Sequence, residues 1–450
     1  MIRRFARDFL LRTMAQGRLR ITRRDFLKTA VTGAVLSPCI SGTPPSSSQG
    51  RPAESKSPLR WKIHQVAKIP HGYQVAVADV NGDGKSDILA LSSQDHIVEW
   101  YENPGWKPRP ITTKTSGNIS LAPLFGKGNQ SHGVALATDF SIDDSTHGGN
   151  LWWAAPPESP DAEWSLTQIG QIPTSHRLRW GDLDGDGRYE LVAAPLLGRG
   201  AHAPDYAIAA PLTWLAMPDE MQRRHSSGRN EPKANWESYL IDDTLTVIHG
   251  LRVLDWDGDG RDEILTASFE GVHLFHSAGH IPNLRWTKIR LGAGDQPTSR
   301  APGSGETKSA RRGSSEIGVG KVNGRRFLAT IEPWHGEQVV VYRQPQSAKP
   351  GELWERHVID STFNDGHALA CADFNGDGND EIVAGFRGAG TSLIIFSATD
   401  TAGLEWKREV LDTDMAASGI ALEDINGDGR LDIVTIGAST GNVKWYENLG

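Results

Sequence analysis

Five nine-residue segments of the chain share one pattern of oxygen-bearing side chains. They begin at Asp79, Asp182, Asp255, Asp373 and Asp424, with oxygen ligands at positions 1, 3, 5 and 9 and Gly at position 6. Ca²⁺ prefers six to eight hard oxygen ligands, and the position-6 Gly permits a sharp turn at positive φ. We therefore predict about five Ca²⁺ sites. Their side-chain ligands would be Asp79, Asn81, Asp83 and Asp87; Asp182, Asp184, Asp186 and Glu190; Asp255, Asp257, Asp259 and Glu263; Asp373, Asn375, Asp377 and Glu381; and Asp424, Asn426, Asp428 and Asp432.

The flanking sequence separates these segments from the helix–loop–helix calcium site. That site needs a bidentate Glu at position 12 and a helix on each side. Here the last carboxylate is at position 9, and apolar β-type runs flank the loops. A single copy could equally be an acidic turn without metal, but five copies in register favour calcium.

Histidine recurs at the head of the apolar run before these segments. His176, His249 and His367 each lie six residues before the first Asp of their loop, and His71 and His132 lie eight and seven residues before their acidic segments. If the runs are neighbouring strands of a closed repeat, their first residues gather at one rim. We therefore predict up to five imidazoles around one opening.

Such a cluster suggests two kinds of chemistry. Neutral imidazole binds transition metals, and it is also a general base near neutral pH. Arg179 and Arg252 each follow a cluster histidine by three residues, and a guanidinium can hold a carboxylate or stabilise an enolate. The set suits proton abstraction next to a carbonyl. The alternative is that each histidine is a repeat residue that hydrogen-bonds the neighbouring repeat.

The acidic pattern followed by an apolar triplet resembles the FG-GAP and VCBS repeats, which are related to the propeller repeats of integrin α chains. The resemblance covers nearly all of the chain after residue 60 and implies a β-propeller with calcium in its loops. It is specific for fold and weak for function. Some propellers of this kind, including aldos-2-ulose dehydratases and certain rhamnogalacturonan lyases, act on sugars.

The repeats can also be counted from a tryptophan that opens a short amphipathic run. This marker occurs seven times, at Trp61, Trp106, Trp164, Trp236, Trp286, Trp354 and Trp406. We predict an all-β, seven-bladed propeller over residues 59–450, in which residues 61–67 supply the outer strand of the last blade and close the ring. The inner strands are predicted at 73–79, 132–138, 176–182, 249–255, 315–321, 367–373 and 418–424.

Two blades lack the full acidic loop. In blade two the corresponding segment is DFSIDDSTH from Asp139, and in blade five Lys321 replaces the first Asp. Blade three carries a long insertion at 198–235. The polar stretch 292–315 is nearly free of apolar residues, so we predict a flexible loop there.

The N-terminal segment has the features of an export signal. Two arginines in TRRDFLK precede the modest apolar run TAVTGAVL, which predicts a twin-arginine signal peptide over 1–40 and a disordered linker over 41–58. That apolar run is too short to span a membrane. We therefore expect a protein of the periplasm or cell surface, with lipid attachment at Cys39 as a further option.

The net charge and the cysteine content limit the kinds of partner and of fold stabilisation that we expect. The chain has a net charge of −8, and residues 1–28 alone carry +7, which leaves −15 for the remainder. A chain this acidic is a poor binder of nucleic acid. Only Cys39 and Cys371 are present, so no disulfide framework supports the fold. We expect a monomer without a transmembrane span and with a saccharide ligand.

Three classes of function remain open from the sequence. The first is an exported carbohydrate-active propeller, such as a sugar lyase, dehydratase or isomerase, with a metal or base cluster at the channel rim. The second is a non-catalytic module that binds a ligand or protein. The third is a structural surface protein stabilised by calcium. The repeat pattern does not choose among them, because fold alone does not determine function.

Overall fold

The computed structural model describes residues 59–125, 132–218, 221, 236–296, 311–346 and 351–450. The predicted signal peptide, the linker and Cys39 lie outside the described residues, as do residues 222–235 and 297–310 of the two predicted loops. Among the described residues, no helix has the length and apolar character needed to cross a bilayer.

The described elements form seven four-stranded antiparallel sheets, which are the blades of a propeller. Blades one and two contain β2 (Gly72–Ala78), β3 (Asp87–Ser92), β4 (Val98–Glu102), β5 (Lys107–Thr112), β6 (Ser120–Phe125), β7 (His132–Thr138), β8 (Asn150–Ala155) and β9 (Ser165–Gln171). Blades three and four contain β10 (Ser175–Gly181), β11 (Glu190–Pro195), β12 (Leu212–Ala216), β13 (Glu237–Asp242), β14 (Gly250–Leu254), β15 (Glu263–Ser268), β16 (Gly271–Ala278) and β17 (Arg285–Gly292).

The other three blades complete the ring. They contain β18 (Ile317–Val322), β19 (Arg325–Glu332), β20 (Gln338–Arg343), β21 (Glu355–Asp360), β22 (Gly366–Ala372), β23 (Glu381–Phe386), β24 (Ser392–Ala398), β25 (Trp406–Asp412), β26 (Ala417–Glu423), β27 (Asp432–Gly437), β28 (Asn442–Asn448) and β1 (Trp61–Lys68). Strand β1 pairs with β28, so the seventh blade takes its outermost strand from the N-terminal end of the described chain.

Burial explains the order of strands within a blade. The second strand is buried along its whole length, as in β3, β11 and β23, because neighbouring blades cover both of its faces. The outermost strand alternates exposed and partly buried positions, as in β13 and β25. The core therefore lies between the blades.

The inner strands give the propeller two distinct ends. We call the end where these strands begin, near Ser175 and Gly250, the histidine face. We call the end where they finish, near Gly181 and Leu254, the loop face, because the acidic loops follow directly.

The sequence-based prediction for blade two was wrong. Its innermost strand is β6 (Ser120–Phe125), and the predicted inner strand 132–138 is the second strand, β7. The segment from Asp139 therefore joins β7 to β8 at the histidine face instead of occupying an acidic-loop position. Its acidic composition resembles a loop, but local composition does not encode the order of strands in a sheet.

Blade five replaces the acidic loop by a tight turn. Asn323 and Gly324 join β18 to β19 with φ values of 51° and 72°, which is the Asn-Gly pattern of a two-residue hairpin. In blade three, the predicted insertion 198–235 is interrupted by β12, so it consists of two separate connections.

Candidate active site and acidic loops

In four blades the inner strand has a β-bulge near its first residue, on the histidine face. The strand ladder shifts register at Tyr73, His176, His367 and Ser418, each near the start of its inner strand. Such bulges re-aim a side chain away from the regular alternation of the strand. Tyr73, His176 and His367 are thereby brought together in one buried cluster.

Three imidazoles form the centre of this cluster. One ring nitrogen from each of His249, His335 and His367 lies within 4.8 Å of the others. The Nε2 atoms of His249 and His335 are 2.9 Å apart. A tetrahedral zinc ion with Zn–N bonds of about 2.0–2.1 Å holds its nitrogen ligands roughly 3.3 Å apart, so small shifts would accommodate it.

The second ring nitrogen of each imidazole faces an oxygen. His367 Nδ1 donates to the carbonyl of Ser418 at 2.8 Å. His249 Nδ1 lies 3.3 Å from Glu316 Oε1, and His335 Nδ1 lies 3.6 Å from Asp365 Oδ1. His367 thus has the outer hydrogen bond that fixes the ring and tautomer of a metal-ligating histidine. By contrast, His249 Nδ1 makes no hydrogen bond to the described residues, and His335 Nδ1 lies near both Asp365 and the Arg387 guanidinium. The donor set therefore fits a divalent transition metal.

Tyr73 and His176 form a second unit beside the three imidazoles. The Tyr73 hydroxyl lies 2.6 Å from His176 Nε2 and 3.2 Å from His367 Nε2. The proton of neutral His367 is on Nδ1, which donates to Ser418, so its Nε2 has a lone pair. His176 Nε2 also has a lone pair when it accepts the hydrogen bond from Tyr73. The hydroxyl can therefore donate to either imidazole.

Burial and neighbouring arginines keep these imidazoles neutral. Burial lowers the pKa of His176, His335 and His367 well below the usual value. Burial also lowers the pKa of His249 to about 4, although Glu316 acts in the opposite direction. Neutral imidazole is the form that binds metals and accepts protons. The cluster is thus ready for either role at neutral pH.

Glu316 supplies negative charge beneath the cluster. It accepts a hydrogen bond from Arg177 Nη2 at 2.6 Å. Burial alone would raise the pKa of Glu316, but Arg177 and then His249 lower it to about 2. On the outer side, Arg387 pairs with Asp365 at 3.1 Å, and its Nη2 lies 3.5 Å from His335 Nδ1.

His335 gives the cluster its contact with solvent. Its side chain is 26% exposed, whereas the side chain of His249 is 1% exposed. Phe140 packs against His176, and Trp334 packs against His335, so loops of blades two and five cover the rest of the rim. A ligand would therefore approach the imidazoles from the side of His335.

Not every predicted site residue joins the cluster. His71 lies on the histidine face, but its side chain is half exposed and bonds Asp95 at 2.9 Å. His132 begins β7 opposite Phe125, so it lies at the loop face. This placement contradicts the predicted five-imidazole rim, and it follows from the wrong inner strand in blade two.

Arg179 and Arg252 were also placed wrongly at the rim. Three residues along a strand correspond to about 10 Å, so both side chains lie deeper, where they line the central channel. The arginines that contact the cluster are Arg177 and Arg387. Arg177 Nη1 lies 3.3 Å from His176 Nε2.

Sequence reasoning missed Tyr73 and His335. Tyr73 lies six residues before Asp79, the same spacing that selected the other histidines, so strict use of that spacing would have found it instead of His71. His335 lies in the β19–β20 connection and has no repeat equivalent. Its φ of 51° is unusual for a residue with a side chain, but this signal requires the structure.

The acidic loops lie on the opposite face and have one geometry. In the first loop Asp79 accepts from the backbone N–H groups of Gly82 and Gly84, at 2.8 and 3.0 Å. The predicted positive φ at position 6 is confirmed in all five loops, with values of 86–93°. These bonds hold the side chains at positions 1, 3 and 5 around the turn.

The position-9 carboxylates are buried behind the loops. Glu190 accepts from the backbone N–H of Leu183 at 3.1 Å. Burial raises the pKa of Glu190 to about 8, that of Glu381 to about 7 and that of Asp87 to about 6. Burial of several uncompensated carboxylates is costly unless a cation neutralises them.

Two loops bring three carboxylates within 4.8 Å of one another. These groups are Asp182, Asp184 and Glu190 in blade three, and Asp255, Asp257 and Asp259 in blade four. Asp184 Oδ1 is buried and has no hydrogen-bond partner within the described part of the chain. An orphaned carboxylate oxygen beside two further carboxylates fits a hard divalent cation such as Ca²⁺.

Comparisons with known proteins agree with the observed repeats. Residues 148–345 match the family model of the aldos-2-ulose dehydratase β-propeller domain. Residues 71–95 match the FG-GAP repeat, and residues 373–435 match an FG-GAP-like repeat. The first match contains His176, His249 and His335 but not His367.

One curated relative and several solved structures match most of the chain. The aldos-2-ulose dehydratase of Phanerodontia chrysosporium is 24% identical over 401 residues, which cover 83% of this chain and 41% of the relative. The chain thus spans less than half of that relative's length. Matching structures include a luciferin-regenerating enzyme (12% identity, 87% and 96% of the two chains, TM-score 0.41) and a candidate 6-phosphogluconolactonase from Bacteroides fragilis (12%, 84% and 94%, TM-score 0.44). The chain is a seven-bladed β-propeller in which two segments match FG-GAP and FG-GAP-like repeats and a third matches the propeller domain of aldos-2-ulose dehydratase.

Proposed function

We propose that this propeller is a carbohydrate-active enzyme that removes water from a sugar next to a carbonyl group. The observation that carries the proposal is the convergence of His249, His335 and His367, whose pKa values burial lowers and of which His367 is oriented by the carbonyl of Ser418. The aldos-2-ulose dehydratase match covers the segment that supplies two of these three residues. A divalent transition metal held by the three imidazoles would polarise the sugar carbonyl.

The residues around the imidazoles supply acid–base chemistry. In the dehydration, a base takes the proton from the carbon next to the carbonyl, and the hydroxyl on the following carbon takes up a proton and leaves as water. His176 and Tyr73 lie beside the three imidazoles and can accept and return a proton at Nε2 and Oη. Arg387 lies next to His335 at the exposed side, where it can stabilise negative charge on the sugar oxygen.

We also propose Ca²⁺ in the five acidic loops, as a structural ion. The orphaned oxygen of Asp184 and the buried position-9 carboxylates support this. These loops are on the loop face, away from the imidazoles, so calcium would stabilise the blades and take no part in the reaction. Export through the twin-arginine signal and the monomeric state remain predictions.

The experiment distinguishes the role of the metal-binding imidazoles from the acid–base role of Tyr73 and His176. Metal content is measured by elemental analysis, and turnover is followed on a six-carbon aldos-2-ulose by the ultraviolet absorbance of the unsaturated carbonyl product. His335→Ala should lose both the transition metal and turnover. Tyr73→Phe should keep the metal and lose about 10²–10⁴-fold in kcat. His147→Ala, at a side chain that is 81% exposed, is the matched control.

Each outcome bears on the proposal. Calcium alone in the wild-type protein, together with no turnover, would reject the enzyme and favour a binding module. Full turnover in both His335→Ala and Tyr73→Phe would place the chemistry elsewhere. A transition metal without turnover on any aldos-2-ulose would reject this substrate class.

A further inference from the structure

The central channel contains a cavity that the histidine cluster does not use. Its volume is about 190 Å³, far above the roughly 15 Å³ that one water needs. Arg177, Arg179 and Arg252 line it together with Tyr73, and none of the cluster histidines does. The cavity therefore lies below the cluster, along the axis of the propeller.

The charge in this cavity is unbalanced. Glu316 is the only carboxylate among the described residues that line it, and it already bonds Arg177. Three guanidinium groups against one carboxylate leave a net charge of +2. Burial, followed by the neighbouring Arg177 and Arg252, lowers the pKa of Arg179 to about 10, which is the response expected of an arginine that lacks compensation.

Two of these arginines have few partners of their own. Arg179 Nη1 donates to the adjacent carbonyl of Leu178 at 2.7 Å. The guanidinium of Arg252 has no hydrogen-bond acceptor and no ion-pair partner within the described ranges. The Ser418 hydroxyl also lines the cavity, is buried and has no partner there. Arg179 and Arg252 are partly exposed, so water can reach their guanidinium groups, whereas a buried hydroxyl without a partner, such as that of Ser418, is costly unless a ligand bonds to it.

The repeat geometry leaves room opposite the arginines. Arg179 and Arg252 lie three residues before the first Asp of their loops, and the corresponding residues of blades six and seven are Ala370 and Ala421. Both alanines line the same cavity. Small side chains on one side and two forked donors on the other form a space suited to a planar or tetrahedral oxyanion.

The cavity opens toward the loop face. Strand β26 is buried at Ala417 and Ser418 and partly exposed from Gly419 to Glu423. Strand β14 likewise changes from buried to partly exposed along its length. Access therefore comes from the end opposite His335, so this site has its own entrance.

We infer that the channel is a binding site for a small oxyanionic group, held by Arg179 and Arg252 with the Ser418 hydroxyl. The group can be a carboxylate or a tetrahedral phosphate-like oxyanion, because both accept paired hydrogen bonds from guanidinium. The three proposed ligand groups, Arg179, Arg252 and the Ser418 hydroxyl, have no role in the proposed dehydratase chemistry, although Tyr73 also lines the cavity.

Isothermal titration calorimetry with two probes tests this inference and identifies the group. Sulfate represents the tetrahedral oxyanion and acetate the carboxylate, and glucose is the neutral control. The titrations are done at low ionic strength with calcium present, because the acidic loops stand at the same end. One of the two anions should bind with a stoichiometry near one, and glucose should not bind in the channel.

Substitutions at Arg252 give the decisive comparison. Arg252→Gln should weaken binding of the anion by about 10- to 150-fold, the value of one charged hydrogen bond, and Arg252→Lys should weaken it less because the charge remains. Arg285→Gln, at an exposed position of β17, is the matched control. Since Arg252 has no internal partner and adds to the positive charge of the cavity, its replacement should not lower the thermal unfolding temperature. Absence of binding by both anions, or equal affinity in Arg252→Gln and wild type, would overturn the inference.

Discussion

The ion pair beneath the histidine cluster allows a quantitative test of the buried electrostatics. Arg177 and Glu316 have side chains that are 6% and 15% exposed, with a hydrogen bond of 2.6 Å between them. Glu316→Gln keeps the shape and an acceptor oxygen but removes the charge. Removal of one partner from a buried pair costs about 3–5 kcal/mol, because the other charge stays buried without compensation. We expect this loss in the free energy of unfolding.

The assay is equilibrium urea unfolding at neutral pH with calcium present, so that the acidic loops do not change between variants. Glu355→Gln is the control, because Glu355 pairs with Arg343 at the surface and is 54% exposed. Exposed pairs contribute about 0–1 kcal/mol. The double variant Arg177→Gln/Glu316→Gln should cost clearly less than the sum of the two single variants. A cost for Glu316→Gln no larger than that of Glu355→Gln, or full additivity in the double variant, would refute this reasoning.

Three further predictions concern metal, pH and the buried thiol. Calcium removal with a chelator should lower the thermal unfolding temperature, because each site saturated at a hundredfold excess over its Kd contributes about 2.7 kcal/mol; equal temperatures with and without chelator would argue against calcium in the loops. Below pH 6.5 His249 takes up a proton in the unfolded protein, whereas in the folded protein it stays neutral because burial lowers its pKa to about 4. This residue should therefore lower the free energy of unfolding by about 1.4 kcal/mol for each pH unit between pH 6.5 and 4. Urea unfolding across this range should show a shallower pH slope in His249→Gln, and an identical slope would contradict the assignment. Burial raises the pKa of Cys371, so the native protein should not react with a thiol reagent at pH 8 and should react after unfolding; rapid labelling of the native state would contradict this.

The fold could be predicted because its signals are local and repeated. Each acidic loop combines a position-6 glycine with alternating carboxylates, and these requirements are satisfied within nine residues. The apolar runs beside the loops then have to be strands, since a propeller hairpin flanks each loop. The prediction for blade two was wrong because the first hairpin of that blade has no acidic loop. The acidic segment from Asp139, on the histidine face, led to the assignment of the inner strand to 132–138.

The site was less predictable, because its parts come from different levels of structure. The six-residue spacing found His176, His249 and His367, which do meet. Arg179 and Arg252 lie away from the rim, because three residues of a β-strand span about 10 Å. His335 comes from the loop between the second and third strands of blade five, and its approach to His249 depends on how blades four and five pack.

The contacts of the recurring histidines distinguish a shared site from a repeated structural device. A repeat residue that serves blade docking should make the same bond in each blade. Instead His176 bonds the Tyr73 hydroxyl, His367 bonds the carbonyl of Ser418, and His249 faces His335. No single contact is thus common to all three positions, although His176 and His367 share the Tyr73 hydroxyl, and the rings contact one another. These differences favour a shared site over a repeated structural contact. The seven-fold scaffold provides equivalent positions around the axis, and the blades differ in the side chain that each places there.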